Sequence, residues 1–157
     1  MLTQTLQPQL NTRNDDLFYF LGSPTSLRAT AATTGGAFGL VEGHSMAPGF
    51  ESPYHVHSNE DEAFYVLEGE IAFIVDGKWM VGGPGTYAFG PRNIPHGFKV
   101  VSDTPARLLL LASPGGFEGF VSELRQPEPA PPDMGVLAAT AARYGIEILG
   151  ALPEFVR

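Results

Sequence analysis

Between residues 16 and 113 the chain alternates short apolar segments with clusters of turn-forming residues. Aromatic and β-branched residues dominate the segments, for example in LFYFLG, EAFYVLEG and EIAFIVDG, and clusters such as TTGG, VDGK and GGPG separate them. Many short strands at close spacing predict an antiparallel barrel or a double-sheet jelly roll. The 19 glycines and 14 prolines agree with this prediction, because both residues favour turns over long helices.

The length of 157 residues suits a single domain, which we divide into three parts. Residues 1–15 are polar and lack periodicity, which predicts a flexible arm, and residues 16–113 are expected to form the barrel. Residues 114–157 are expected to form a helical extension packed on the barrel, with Asp133 as the N-cap of one helix and Gly145 as its end. The predicted fold class is all-β, with short C-terminal helices.

Charge and cysteine content restrict the partners and the cellular location. A net charge of −8 leaves no basic surface for phosphates, so we expect neither nucleic acid nor a membrane as a partner. No apolar run reaches the roughly 18 residues that a membrane span needs, and the first residues lack a signal-peptide core. The sequence contains no cysteine, which excludes a thiolate metal site and suits a cytoplasmic protein.

Three of the four histidines fall in segments that favour a common site. His55 and His57 are two residues apart, a spacing that places both side chains on one face of a strand but not of a helix. Glu62 follows a short turn, and His96 begins another predicted strand after PRNIP. Three imidazoles and one carboxylate would suit Fe, Mn, Co, Ni, Cu or Zn.

These segments resemble the two sequence motifs of the cupin superfamily. Residues 49–69 match the first motif, G-x5-H-x-H-x4-E-x6-G, at every defined position. The second motif, G-x5-P-x-G-x2-H-x3-N, is matched at Gly85, Pro91 and His96. Asn93 replaces its glycine and Val100 its asparagine, so both departures fall outside the predicted metal ligand.

The resemblance implies a cupin double-stranded β-helix, which is a jelly-roll barrel, and a metal centre inside it. Carried over residue by residue, it makes His55, His57, Glu62 and His96 the ligands of one divalent transition metal per chain. The native metal stays open among nickel, cobalt, iron, manganese and copper, and zinc is possible in the purified protein.

Further segments, EDEAFYVLEGE, SPGGFEGF and ARYGIEILG, look like single-domain bacterial cupins of the quercetin 2,3-dioxygenase type. Such enzymes open the heterocyclic ring of a flavonol, so the resemblance implies a dioxygenase that uses O2 and a small aromatic substrate. Glu62 would then be the catalytic base as well as a ligand. Two alternatives stay open: another cupin enzyme, such as an isomerase or a different dioxygenase, and a non-catalytic cupin that binds a small molecule through its metal.

Strand alternation counted from Glu62 and His96 places several aromatic side chains inside the barrel. We expect Phe64, Phe73 and Phe98 to contact the substrate. The alternative, that these residues only fill the barrel, stays open for each of them.

The opposite face of the same strands is also apolar, as Tyr65 and Ile74 illustrate. A sheet that is apolar on both faces must be covered twice, so we expect the C-terminal helix and a second subunit to cover it, which predicts a homodimer. We interpret Asn59, Glu60 and Asp61 as a solvated turn beside the metal centre. His44 has no partner at ligand spacing and is expected at the surface or in an interface.

Overall fold

The computed structural model describes residues 5–13 and 15–157. Of the predicted N-terminal arm, residues 1–4 and 14 lie outside the described residues. Residues 5–12 form neither helix nor strand and are exposed. The arm contacts strand residue Arg28: Asn11 donates a hydrogen bond to the carbonyl of Arg28 at 2.9 Å, and Arg28 donates one to the carbonyl of Thr12.

The described part of the chain contains eleven strands and three short helices. The strands are β1 (Phe18–Phe20), β2 (Ser23–Ala29), β3 (Gly39–Met46), β4 (Tyr54–His57), β5 (Asp61–Glu68), β6 (Ile71–Val75), β7 (Lys78–Gly82), β8 (Tyr87–Gly90), β9 (His96–Val100), β10 (Ala106–Ser113) and β11 (Ile146–Gly150). The helices are α1 (Ala31–Thr34), α2 (Phe117–Glu123) and α3 (Met134–Arg143). No helix among the described residues is long and apolar enough to cross a membrane.

The strands form two antiparallel sheets. One has the order β1-β2-β3-β10-β5-β8 and the other the order β11-β4-β9-β6-β7. Strands that are neighbours in a sheet are often distant in sequence, as in the pairing of β3 with β10 and of β4 with β9. The predicted all-β jelly roll with short C-terminal helices is confirmed.

Strand β5 shows how the sequence decides which side chains face the core. Glu62, Phe64 and Val66 are buried, whereas Tyr65, between them, is exposed, as expected for side chains that alternate between the two faces of a strand. Phe64 lies opposite Leu110 of β10. Phe64 and Val66 form part of a core cluster with residues of β6 and β9.

The turn-forming cluster VDGK joins β6 to β7 in a hairpin. Val75 pairs with Lys78, which leaves Asp76 and Gly77 as a two-residue loop with φ values of 50° and 72°. Positive φ at both central positions defines the type I′ turn, which Asp-Gly accommodates well.

The C-terminal region contains the predicted helices and one strand that the sequence prediction missed. Asp133 is the N-cap of α3, as predicted, and its carboxylate accepts hydrogen bonds from the backbone of Gly135 and Val136. After Gly145 the chain forms β11, which pairs with β4. The segment 114–157 is therefore not purely helical, because five residues of it extend the second sheet.

The cover of the second sheet also differs from the prediction. Ile74 lies in one row with Gly97 and Trp79, and Phe155 packs on Trp79 with a ring-centroid distance of 5.0 Å. Leu152 occupies the space above Gly97, where an added Cβ would come within 2.5 Å of its side chain. The C-terminal tail thus covers this face, whereas α3 packs into the other core cluster through Leu137 and Ala141.

The outer face of the six-stranded sheet retains exposed aromatic side chains. Tyr65 lies opposite Tyr87, and the neighbouring row contains Phe89. Their exposed fractions are 45%, 63% and 46%, and such clustered apolar exposure is typical of interaction surfaces. The homodimer stays a prediction, with this face as its candidate interface.

A charged residue introduced on the outer face of either sheet should show whether that face is needed for dimer formation or for folding. Tyr65→Lys should dissociate the predicted dimer and leave the melting temperature of the subunit nearly unchanged, because Tyr65 is half exposed. Ile74→Lys should instead unfold the protein, since Ile74 is 1% exposed and a buried unpaired charge is strongly destabilising. Sedimentation velocity and circular dichroism measure both effects; a parent protein that sediments only as a 16.8 kDa species would contradict the dimer.

Candidate metal centre

Three strands and both sheets contribute to the candidate centre. His55 and His57 extend from the same face of β4, as the two-residue spacing predicts, and His96 is the first residue of β9. The register places His55 directly opposite His96. Glu62 comes from β5 in the other sheet, so the four side chains meet between the two sheets.

The structure brings all four predicted ligand residues together. One potential ligand atom from each lies within 4.8 Å of those of the others. Glu62 Oε2 is 2.6 Å from His96 Nε2, 3.3 Å from His57 Nε2 and 3.8 Å from His55 Nε2. His57, Glu62 and His96 are almost completely buried, and His55 is the most exposed member of the group.

The outer nitrogen of each imidazole has its own acceptor. His55 Nδ1 donates to the carbonyl of Pro53 at 2.8 Å, and His96 Nδ1 donates to the carbonyl of Ile94 at 2.9 Å. Because a carbonyl can only accept, both Nδ1 atoms carry hydrogen, and the neutral rings turn an Nε2 lone pair toward Glu62. His57 Nδ1 is bonded to the Glu60 carboxylate.

This arrangement fits a metal ion. In their neutral forms the three Nε2 atoms are acceptors, and the Glu62 carboxylate is an acceptor as well. His57 Nε2 and Glu62 Oε1 are buried without a hydrogen-bond partner among the described residues. A cation can bind to such converging lone pairs, and a donor set of three imidazoles and one carboxylate suits a divalent transition metal.

Burial and the charges within the cluster shift the pKa values of its members in different directions. Burial alone would raise the pKa of Glu62, but the positive charge of protonated His57 and hydrogen bonds from the protonated forms of His55 and His96 hold that pKa well below its usual range. Burial lowers the pKa of His55. For His57, burial is outweighed by Glu62 and Glu60, and its pKa is raised. Glu62 therefore stays ionised at neutral pH.

The interpretation of residues 59–61 as a solvated turn is wrong for Glu60. Its side chain is 3% exposed and accepts the hydrogen bond from His57 Nδ1. A buried carboxylate in this position fixes the ring orientation and raises the basicity of the inward nitrogen. The available signal was the spacing His57-x-x-Glu60, which lets a tight turn bring the carboxylate back to the ring.

The two other residues of this turn have structural contacts. Asp61 forms a bidentate ion pair with Arg92, with distances of 3.1 Å to Nε and 2.9 Å to Nη2, and this pair lowers the pKa of Asp61 to about 2. Asn59 is exposed and donates to the carbonyl of Tyr144 at 3.1 Å. Together they attach the turn to the loop before β9 and to the end of α3.

Asn93 explains why the departure from the second motif is tolerated. Its φ is 65°, a left-handed conformation that glycine adopts freely and that asparagine adopts more readily than most other residues. Its backbone N–H donates to the carbonyl of His57 at 2.7 Å. The loop that leads to His96 is thereby attached to the strand that carries His55 and His57.

An apolar cavity of about 90 Å³ adjoins the cluster. His55 and Glu62 line it, as do Phe64 and Phe98, two of the three predicted substrate contacts. Phe73 lies behind this wall, where its ring packs 5.4 Å from that of Phe64 and 6.3 Å from that of Phe98. Other parts of the wall come from both sheets and the helices, including Val41, Met46, Phe50, Leu108, Phe117 and Phe120.

The fourth histidine lies outside this cluster, and its expected surface position is wrong. His44 is buried on β3, with Nε2 2.9 Å from Ser26 Oγ and Nδ1 3.5 Å from Glu42. Glu42 in turn forms ion pairs with Arg28 and Arg107. Burial lowers the pKa of His44, which therefore serves this network as a neutral side chain.

Comparison with known proteins agrees with this architecture. A cupin domain model matches residues 44–112, a range that contains all four cluster residues. Quercetin 2,3-dioxygenase from Bacillus subtilis is 33% identical over 73 residues, which are 46% of this chain and 21% of the relative. The chain thus spans about a fifth of the length of the curated relative that it matches.

Solved structures with lower identity show the fold alone. An RmlC-like cupin from Shewanella frigidimarina is 19% identical with a TM-score of 0.58, over 72% of this chain and 96% of its own. The polyketide cyclase RemF from Streptomyces resistomycificus is 23% identical with a TM-score of 0.57, over 69% of this chain and 80% of its own.

Removal of the charge on Glu60 should weaken metal binding without unfolding the protein. Glu60→Gln keeps a hydrogen-bond acceptor near His57 but removes the negative charge, so we expect metal affinity to fall about 10- to 100-fold. Chelator competition measures this affinity. Glu51→Gln, at an exposed glutamate paired with Lys99, is the control, and equal affinities of the two variants would contradict the role of Glu60.

Proposed function

We propose that this chain, in which residues 44–112 match a cupin domain model, is a metal-dependent dioxygenase of the quercetin 2,3-dioxygenase type. It would use O2 to open a ring of a flavonol or a similar enol or phenol. The observation that carries the proposal is the convergence of three imidazoles and a carboxylate at the wall of an apolar cavity. The partial likeness to the Bacillus enzyme supports the choice of reaction.

His55, His57, Glu62 and His96 would hold one divalent transition metal. When bound, the ion would supply positive charge that favours the ionised form of a substrate hydroxyl and would bring the substrate and O2 together. The hydrogen bonds at the three Nδ1 atoms orient the imidazoles before a metal arrives. Metal binding would then not have to fix the ring orientations.

Glu62 is suited to accept the substrate proton. Its Oε1 has no hydrogen-bond partner among the described residues, and its carboxylate lines the cavity. Because a carboxylate is a weak base, the transfer requires a hydroxyl that is itself acidified. An enol beside a cation satisfies that requirement, whereas an ordinary aliphatic alcohol does not.

The walls of the cavity favour a flat aromatic substrate. Phe64 and Phe98 are 6.0 Å apart between ring centroids, and Phe117 packs edge-on against His57 at 5.2 Å. These rings exclude water from the reacting groups and offer apolar faces for contact. A sugar phosphate would instead require several inward-facing basic side chains.

Oxygen uptake with a panel of flavonols, after reconstitution with each candidate metal, tests the proposed reaction. Uptake that depends on both metal and flavonol would support the dioxygenase. Tight flavonol binding without uptake would favour a non-catalytic binding protein, and a changed substrate without uptake would favour another cupin enzyme, such as an isomerase.

The metal assignment predicts a content of one divalent transition metal per chain. Elemental analysis should show that His55→Ala/His57→Ala loses the metal, while His44→Gln, at the histidine outside the cluster, keeps it. Affinity should weaken below about pH 6, because the imidazoles must be neutral to bind. Full metal content in the double variant would exclude these ligands.

The proton-transfer assignment predicts that turnover depends on Glu62 more than metal occupancy does. In metal-saturated Glu62→Gln the three histidines still bind the ion, but flavonol-dependent oxygen uptake should fall about 100- to 10,000-fold. Glu68→Gln, at an exposed glutamate on the same strand, is the matched control. Uptake by Glu62→Gln within about threefold of the parent would show that another group accepts the proton.

A further inference from the structure

The hydroxyls in the wall of the cavity differ in their hydrogen bonding. Apart from His55 and Glu62, the polar side chains that line the cavity are the hydroxyls of Ser23, Thr25 and Ser52. Ser52 Oγ donates to the carbonyl of Pro53 at 3.1 Å and accepts from the backbone of Phe98 at 3.0 Å. The hydroxyls of Ser52 and Thr25 are thus both engaged, since Thr25 donates to the carbonyl of Ser23 at 3.0 Å.

Ser23 Oγ, by contrast, is buried without a hydrogen-bond partner among the described residues. The residue is 5% exposed, so bulk water does not satisfy its hydroxyl. An unpaired polar group in the interior lowers stability, and such groups in native proteins usually have a specific reason. In an apolar cavity, the reason that best fits is a ligand that supplies the missing partner.

The local fold holds Ser23 rigidly in this position. Leu21 and Gly22 have φ values of 51° and 78°, and Phe20 pairs with Ser23, so a two-residue type I′ turn immediately precedes it. Leu21 and Phe20 also line the cavity. A serine at the end of a tight hairpin is a fixed hydrogen-bonding group, and rotation about its Cα–Cβ bond alone redirects the hydroxyl.

Ser23 and Glu62 lie in different parts of the cavity wall. Ser23 belongs to β2 and Glu62 to β5, and two strands, β3 and β10, separate them in the six-stranded sheet. Both residues line the same cavity, and apolar side chains such as Val41, Leu108 and Leu110 lie on the strands between them. The cavity therefore has two polar ends joined by apolar walls.

We infer that Ser23 is a specificity-determining residue whose hydroxyl binds a second polar group of the substrate, at the end opposite the enol that Glu62 receives. This inference rests on the proposed function, because it assumes that the cavity is the substrate site. It narrows the substrate to an elongated aromatic molecule with hydrogen-bonding groups at both ends. An aromatic molecule with a single polar end would leave Ser23 unpaired and would bind more weakly.

Anaerobic binding to the metal-loaded protein tests the ligand contact without requiring turnover. The probes are a flavonol with only the enol hydroxyl and its two derivatives with one added hydroxyl at the far end of either terminal ring. The parent protein should bind one derivative about tenfold more tightly than the unsubstituted flavonol. In Ser23→Ala this preference should disappear, while the affinity for the unsubstituted flavonol stays nearly the same.

The melting temperature of the same ligand-free samples is an independent measurement. Ser23→Ala removes an unpaired hydroxyl and should raise the melting temperature by about 2–4 °C. Ser52→Ala is the matched control, since it removes a hydroxyl that the protein uses, and it should lower the melting temperature. It should also leave the preference for the added hydroxyl in place.

The outcomes separate this inference from the proposed function. A preference that survives Ser23→Ala, or its absence in the parent protein, would overturn the assignment of Ser23 while flavonol binding stands. A fall in the melting temperature of Ser23→Ala would show that the hydroxyl is already satisfied, for example by a fixed water, and would also overturn it. If the parent binds none of the three flavonols, the proposed substrate class itself is wrong.

Discussion

The structure depends on the convergence of four electron-pair donors in a space almost closed to solvent. His55 and His96 are direct neighbours across β4 and β9, and Glu62 faces them from the other sheet. Two sheets that packed only through apolar side chains could shift relative to each other with a small loss of stability. The four cluster residues meet only when the two sheets have one particular relative position. A cation bound there would link the sheets as well as supply chemistry.

The orientation of each imidazole is set locally, whereas their convergence is a property of the whole fold. His55 and His96 each donate to the carbonyl two residues earlier, and His57 binds the carboxylate three residues later. Each ring is therefore held in one tautomer by its own segment. Folding of the barrel then has to bring together only Glu62 and three histidines whose ring orientations are already fixed. This explains how short strands can form a site with defined geometry.

The sequence predicted the structure correctly where a pattern is compatible with only one backbone geometry. The spacing of His55 and His57 on a strand, the alternation along β5 and the Asp-Gly turn each allow one arrangement, and the structure has it. Glu60 and His44 were misplaced, because charged and polar residues are expected at the surface. Their burial depends on specific partners that the sequence pattern does not identify, namely His57 for Glu60 and Ser26 of another strand for His44. The sequence prediction also missed β11, since five residues after a helix carry little periodicity and the strand is defined by its pairing with β4.

The pairing of β11 with β4 has a consequence for how the protein is made. Residues 146–150 lie beside the strand that carries His55 and His57, although about ninety positions of the chain separate them. On the ribosome, β4 emerges long before its edge is covered, so its final neighbour is absent while the histidines are already outside. Contacts between such distant segments form slowly, because a long loop must close first. The edge of β4 is therefore covered only after residues 146–150 have left the ribosome, well after the four cluster residues, which all lie between positions 55 and 96.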